Sequence, residues 1–478
     1  MTPPRGLAAL EAEVARDLTR IVHPDLAWLK PKLAPDGSNA LDVLIVGAGQ
    51  GGVATGFGLL RRRVDNILCI DAAPEGREGP WLTYARMKTL RSPKHYTGPD
   101  LDIPSLTYEA WHEAHYGAES WAALDLIARE DWAAYLLWVR RVTGVPVRNG
   151  CRLVGIAPAG ALLAATVQEG GTTRTLYARK IVLATGQEST GQWWMPPEIA
   201  ALPERLRAHA ADEIDFAALA GKTVFVLGAG ASAFDNAATA LEAGADVHLF
   251  CRRPQPQTIQ PYRWVTFRGF LSHLSDLGDE WRWRFMRRVL SLREGFPQAT
   301  YDRCARHEAF TLHVGAPWER VEARSERVAV TIPGETLEAD FVIAGTGMDH
   351  DFALRPELSA FAHNIATWAD RYTPPADEAD ERLARYPYLA PDYAFTEKRA
   401  GETPWIANVH LFSIASTMSF GPSGSSINAM TTAVPKLVDG VTRGLFEADV
   451  EDYWADFEAY DTVQATIAPG DMTPANGR

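Results

Sequence analysis

The feature that most limits what this chain can fold into is a unit that occurs twice. It consists of a short apolar strand, a glycine turn, a helix opening on small residues and a second apolar strand. The first copy reads LDVLIVGAGQGGVATGFGLL, with the turn glycines at Gly47, Gly49 and Gly52. The second strand, NILCID, ends at Asp71, 19 residues beyond Gly52. Taken alone, G-x-G-x-x-G is a weak signal, because any tight turn collects glycines. Here the strand before it, the helix after it and the spaced carboxylate are all present, as a dinucleotide-binding unit requires. Gly47 permits the tight turn, Gly49 lets the backbone approach a pyrophosphate, and Gly52 allows close packing of helix on strand. The helix N-terminus offers free N–H groups to the diphosphate, and the Asp71 carboxylate accepts hydrogen bonds from ribose hydroxyls.

The second copy, GKTVFVLGAGASAFDNAATAL, repeats strand, turn and helix with Gly228 and Gly230, and carries Ser232-Ala233 where the first has Gly51-Gly52. Its second strand, DVHLFC, runs into Arg252 and Arg253 where the first copy has Asp71. A carboxylate would repel a phosphorylated ribose, whereas a guanidinium binds it in a bidentate fork. The pair therefore reads as the 2′-phosphate clamp of NADPH, against the plainer alternative of a solvated basic pair at a strand end. Two further strands, KIVLATGQE (180–188) and DFVIAGTGMDH (340–350), both end in Thr-Gly and read as the points where the chain crosses between domains.

The fold class expected is α/β, with two Rossmann-like dinucleotide-binding domains, the second, NADPH-binding one inserted into the first. The boundaries expected are a helical arm at 1–37, the first part of the first dinucleotide-binding domain at 38–204, the NADPH-binding domain at 205–348, and the return of the first domain with C-terminal helices at 349–478. A helical insertion at about 255–312 falls inside the second domain. In the arm, Leu7, Leu10, Val14, Leu18 and Ile21 recur at helical spacing over 7–22. Trp264, Trp281 and Trp283 in the insertion read as core packing, as do Trp111, Trp121, Trp132 and Trp138.

At 478 residues, with 46% hydrophobic and 22% charged residues, the chain has the composition of a folded protein of two or three domains. A net charge of −13 argues against general nucleic-acid binding, since phosphate contacts need a basic face. No apolar run is long enough to span a membrane and no signal peptide is evident, so a cytoplasmic location without membrane partners is expected. The four cysteines (Cys69, Cys151, Cys251 and Cys304) are scattered without a CxxC pair or a Cys/His cluster, so neither a dithiol centre nor a metal site is expected. Nothing in the composition opposes association into a homo-oligomer.

These residues together resemble the flavin-containing monooxygenase superfamily, which uses FAD and NADPH. The likeness rests on GAGQGG with Asp71, on FAALAGKTVFVLGAGASAFD (216–235), similar to that family's G-x-G-x-S-A signature, and on the two Thr-Gly strand ends. Among subgroups it is nearest to the bacterial FAD-dependent urate hydroxylases and aspartate N-monooxygenase-like proteins. The resemblance implies FAD contacts at Gly47, Gly49, Gln50, Gly51, Gly52, Asp71, Ala72, Leu153, Thr185 and Gly186. GPWLTYARMKTLRSPKHYTGP (79–99) resembles the flavin-facing stretch, which adds Trp81, Thr89, Leu90, Arg91 and Ser92. NADPH contacts are implied at Gly228, Gly230, Ser232, Ala233, Arg252 and Arg253. Two departures bear on chemistry. LPERLRAHAADEIDF keeps only His209 of the fingerprint F-x-G-x-x-x-H-x-x-x-W/Y, so ketone insertion is not expected. If Ser92-Pro93-Lys94 aligns with the family's S-P-K, Arg91 replaces an asparagine, which makes Arg91 the candidate catalytic residue and favours a substrate carrying negative charge or carbonyl groups.

The implied activity is that of a single-component monooxygenase. NADPH reduces FAD, O2 adds to form a flavin C4a-hydroperoxide, and one oxygen passes to a small nitrogen-containing polar substrate by N-hydroxylation or heterocycle hydroxylation. The alternative is an NADPH oxidase or flavoprotein reductase that oxygenates nothing. In FSIASTMSFGPSGSSINAMTTAVPKLVDGV, Gly421, Pro422 and Gly424 read as a turn, with Ser425 or Ser426 capping the helix that follows. Ser413, Ser416, Asn428 and His410 are candidate substrate contacts, and Lys88, Lys94 and His95 read as exposed charges.

Overall fold

The computed structural model describes residues 6–292, 295–422, 424 and 426–472. Two sheets, one mixed and one parallel, carry the two glycine turns. In the seven-stranded sheet, Leu41–Val46 lies between Ile67–Ile70 and Thr172–Leu183, both parallel to it. Thr172–Leu183 also closes an antiparallel meander with Leu162–Glu169 and Cys151–Ala159, and its far end takes Val409–Leu411 as a parallel neighbour. The five-stranded sheet is parallel throughout, in the order Phe310–Val314, Asp246–Cys251, Thr223–Leu227, Phe341–Ala344, Arg207–His209. Val43, Leu44 and Ile45, and likewise Val224 and Val226, are fully buried, the near-continuous apolar pattern of strands covered on both faces.

The chain leaves the first sheet after Leu183, builds the second, and returns to the first at Val409. The outgoing strand Gly191–Trp193 and the returning strand Met348–His350 pair antiparallel with each other, so the two crossings lie side by side. Among the described residues no helix is long and apolar enough to cross a membrane.

The arm helix runs Leu7–Arg20 and buries Leu10 and Val14; Leu7 and Leu18 are half-buried, and Ile21, the last of the five periodic positions, lies past the helix end and is exposed. The four tryptophans at 111, 121, 132 and 138 are buried, as their spacing predicts. The helical segment after the second strand pair differs from expectation in two ways. Its last helix, Gln298–Ala305, is a crossover helix of the five-stranded sheet and packs on Ala231–Glu242, so the added helices end before it. Trp283 is fully buried, but Trp264 and Trp281 are half or more exposed, so only one of the three tryptophans expected in the core is there. Trp281 and Trp283 are neighbours on Asp279–Leu292, and a surface helix cannot bury both.

Candidate functional site

At the first turn, Gly47 adopts φ +103°, and a Cβ there would overlap the Ala184 carbonyl. Only glycine accepts both constraints. Gly52 is held by its neighbour, since a Cβ would overlap the Gly47 carbonyl oxygen. Asp71 closes the turn. Its carboxylate accepts hydrogen bonds from Ala48 N (2.7 Å) and Ala73 N (2.7 Å). Beside it, Glu78 accepts from Arg140 (3.0 Å) and from Asn149 Nδ2 (2.7 Å), a polar wall at the end of the second strand.

The second turn repeats this geometry with one exchange. Gly228 sits at φ +115°, and a Cβ there would overlap the Gly345 carbonyl as one at Gly47 would overlap Ala184. Ala233 occupies the position of Gly52, and the strand residue facing it is Gly345 where the first copy has Ala184. A Cβ on Gly345 would lie 2.7 Å from the Ala233 Cβ. The methyl group has moved across the helix–strand contact. Arg252 and Arg253 follow the strand end and are exposed; Arg253 Nη2 lies 3.5 Å from the Ser291 carbonyl. No carboxylate among the described residues forms an ion pair with either one.

Both Thr-Gly strand ends lie against the glycine turns, Ala184 N donating to Val46 O (2.8 Å) and Gly345 N to Leu227 O (2.7 Å). Around the first end the C-terminal stretch converges. Phe412 N donates to Leu183 O (2.9 Å), and the Phe412 ring lies against Gly51. Ser413 Oγ contacts Ser189 Oγ, and a Cβ on Gly424 would overlap the Ser413 backbone. Gly98, at the end of the 79–99 stretch, touches Ile427 at the start of the last core helices, a Cβ there lying 3.1 Å from the isoleucine side chain. The first turn, the 79–99 stretch, the first Thr-Gly end and Phe412, Ser413, Gly424 and Ile427 thus border one groove. Ser426 does not cap the following helix. Its hydroxyl contacts the Asn428 side chain, and the helix Met430–Ala448 is entered through the 3₁₀ turn Ile427–Ala429 without a side-chain cap. Ser425 lies outside the described residues.

Arg91 sits where the two halves meet. Its Nη2 donates to Asp235 Oδ2 (2.8 Å) on the helix that follows the second turn. Asp235 also accepts from Thr300 Oγ1 (3.2 Å) and Arg303 Nη1 (3.4 Å). Arg303 continues to Glu242 (3.0 Å), which is also paired with Lys88 (2.9 Å) and Arg306 (2.8 Å). Burial pushes the Asp235 carboxyl above its ordinary value, against the pull of Arg91. Burial also raises Glu242, but hydrogen bonds from Arg303 and Lys88 outweigh it and hold that carboxyl down at about 2. Lys88 is therefore exposed but paired, and Lys94 donates to the Trp121 carbonyl (2.5 Å) with its ammonium over that ring. His410 is fully buried beneath the groove, and burial holds it down at about 4.

Sequence reasoning quoted Asp235 within a motif without giving it a role, and missed Thr300 and Arg303 altogether. The only signal was the carboxylate five residues after Gly230, because its partners lie 144 and 68 residues away in the chain.

The groove fits a bound dinucleotide. Trp81 Nε1, Thr185 Oγ1 and Asn428 Nδ2 are buried along it without a hydrogen-bond partner among the described residues. Buried polar atoms seldom stay unpaired. Gly49 is the uncrowded glycine of the turn, a Cβ there meeting nothing nearer than Gly79 Cα at 3.9 Å.

Residues 41–263 match the family model described as pyridine nucleotide-disulphide oxidoreductase. The chain is 40% identical over 459 residues to the FAD-dependent urate hydroxylase of Xanthomonas campestris pv. campestris, covering 95% of this chain and 96% of that one. Among solved structures it resembles the ornithine N-hydroxylase of Kutzneria sp. 744 with reduced FAD, NADP+ and L-ornithine. The TM-score is 0.65 at 14% identity, over 85% of this chain and 99% of that one. It also resembles the L-lysine 6-monooxygenase of Pseudomonas syringae, with TM-score 0.62 at 18% identity over 84% and 99%. These structural likenesses concern the fold.

Proposed function

The chain belongs to the flavin-containing monooxygenase superfamily, and from that premise we propose that it is an FAD- and NADPH-dependent monooxygenase hydroxylating a small, polar, nitrogen-containing substrate of the oxopurine type. The observation that carries this reading is the 40% identity to a urate hydroxylase, which runs through both glycine turns and nearly the whole of each chain. We assign the boundaries 38–204 with 349–478 to the FAD-binding part and 205–348 to the NADPH-binding part, and the cytoplasm as its location.

When bound, FAD supplies the redox chemistry and the activation of O2. The rest falls to the chain. Gly49, Gln50, Gly51 and Gly52 would offer backbone N–H groups to the diphosphate at a helix N-terminus, and Gly47, whose own N–H donates to Ile70 O (2.7 Å), makes the turn that lets it approach. Asp71 and Ala72 would take the ribose and Leu153 the adenine side. Trp81, Thr89, Leu90, Ser92, Thr185 and Gly186 would hold the ring end, and Asn428 Nδ2 supplies a donor beside it. Gly228, Gly230, Ser232 and Ala233 would take the second diphosphate, and Arg252 and Arg253 the 2′-phosphate. Arg91 places a guanidinium at the seam between the two parts, where it attracts an anionic oxopurine; Asp235 fixes its direction. Ser413, Ser416 and His410 are buried beside the first Thr-Gly end, Ser413 against Ser189 and His410 in the strand that pairs with Thr172–Leu183.

The test measures NADPH consumption, peroxide release and product mass with urate and related oxopurines, against ornithine, lysine and aspartate. An oxopurine should stimulate NADPH consumption at least about tenfold, with product one oxygen heavier and peroxide well below stoichiometry. Consumption matched by peroxide whatever the substrate would replace this reading with the NADPH oxidase.

A further inference from the structure

The C-terminal helix Val450–Glu458 is tied to the segment after the arm helix by ion pairs along one edge: Lys32 pairs with Asp449 (2.8 Å), the buried residue just before the helix, and with Asp452 (3.3 Å), and Lys30 pairs with Asp456 (2.7 Å). Tyr453 donates to the Trp28 carbonyl (2.9 Å) and stacks on Phe446 at 4.9 Å between centroids. The opposite stripe, Val450, Trp454 and Phe457 at i, i+4 and i+7, points away, each residue more than half exposed. No residue of this helix is buried, and an exposed apolar stripe of this kind marks a surface that a partner can cover.

The molecule carries one aromatic face of matching character. On the helical segment between Pro261 and Leu292, Trp264, Phe267 and Trp281 are at least half exposed and cluster round Phe285 and Phe270 at 5.4–6.2 Å between centroids. The charges are complementary. Residues 449–461 hold six acidic side chains and no Lys or Arg, whereas 261–292 hold six arginines and three acids. Glu451, Glu458 and Asp461 form no ion pair among the described residues, and Arg263, Arg268 and Arg288 are exposed on the aromatic side. Within one chain the two surfaces lie apart. Thr432 and Lys436 hold Leu271 and Ser272 near the start of the helix Met430–Ala448, and the terminal helix follows its far end. At 1.5 Å per residue that separation is roughly 20–27 Å.

We propose that the apolar stripe of Val450–Glu458 docks on the Trp264–Phe267–Trp281 face of a second copy of this chain, the two contacts related by a two-fold axis. A two-fold running across the helix Met430–Ala448 sets two such helices antiparallel, which brings each terminal helix to its partner's aromatic face. Pairing of two terminal helices with each other would set acid against acid. The aromatic face continues into Phe270 and Leu274, which lie against Gly421, so the contact adjoins the wall of the groove.

This proposal is independent of the reaction assigned above, because its readout is mass. Light scattering on the full flavin-loaded chain over about 1–100 µM should give twice the 52.5 kDa chain mass at the upper end. The double variants W454E/F457E and W264E/W281E should each weaken association at least about a hundredfold. An equimolar mixture of the two should associate more tightly than either alone, since one of the two contacts survives in the mixed dimer. Hydrogen exchange on the unaltered protein gives a second readout: amides of 450–458 and of 261–292 should both gain protection on concentration. A chain that stays monomeric throughout, a dimer indifferent to W264E/W281E, a mixture no tighter than its components, or protection confined to one segment would overturn the proposal.

Discussion

At the first glycine turn the second strand delivers a carboxylate, and at the second turn it delivers two guanidinium groups, although the two turns share backbone geometry down to the φ of Gly47 and Gly228. Asp71 is drawn inward, fastened to Ala48 N and Ala73 N, while Arg252 and Arg253 stand in solvent. Under the proposed function, the turn would set where a diphosphate lies and the strand end which nucleotide is admitted. A residue bonded into its own turn is preorganised for hydroxyls, and an exposed cation without a carboxylate partner is available to a phosphate.

The sharpest way to break the comparison is at the residue where the copies trade a methyl group. Gly52→Ala should cost at least about a hundredfold in FAD affinity, about 2.8 kcal/mol, because the new Cβ meets the Gly47 carbonyl. Ala233→Gly at the matching position should change the KM for NADPH less than about fivefold, through helix propensity alone. The ratio of flavin to protein absorbance, together with NADPH kinetics, reads both. Equal effects at the two positions would mean that the packing difference has no consequence.

Arg252→Ala with Arg253→Ala should raise the KM for NADPH ten- to a hundredfold, about 1.4–2.8 kcal/mol, and leave NADH nearly untouched. An unchanged preference between the two reductants would remove the clamp. Asp71→Ala should weaken FAD retention about tenfold, about 1.4 kcal/mol, since the two backbone N–H groups it holds lose their acceptor. Purification of a fully yellow variant would count against the ribose role.

The smallest effect concerns the seam that keeps the two turns in register. The carboxyl of Glu242 lies below its ordinary value of 4.5, at about 2, so its stabilisation is complete above the ordinary value and disappears as pH falls toward 2. Glu242→Gln should therefore be less stable than the unaltered protein by about 1 kcal/mol at pH 6, after allowance for solvent screening, and the gap should narrow markedly by pH 3. Urea melts at the two pH values decide it; a gap independent of pH would assign the loss to packing.

The sequence revealed the parts of the site that are local. Gly47, Gly52 and Asp71, or Gly228 and Arg252, lie within about 25 residues of each other, and the chemistry of one strand–turn–helix unit dictates their types. The cores of both sheets were legible for the same reason, as apolar runs. What stayed hidden depends on pairs remote in the chain. Arg91 was singled out from its place in a motif, but its partner Asp235 is 144 residues away, and the Arg303 that completes the cluster belongs to a third helix. The exchange of Ala184 and Gly52 for Gly345 and Ala233 joins residues more than 100 positions apart and has no periodic signature. Trp264 and Trp281 were misplaced because aromatic spacing shows that a helix has an apolar face, not whether its own chain covers that face.

The central claim is that one chain seats two adenine dinucleotides, told apart by the charge at two strand ends. A crystal structure of the purified protein grown with NADP+ tests it most directly. The account predicts FAD with its adenosine ribose against Asp71, and the 2′-phosphate of NADP+ between Arg252 and Arg253. The two nucleotides in the opposite order, or a 2′-phosphate that leaves both arginines unbound, would contradict it.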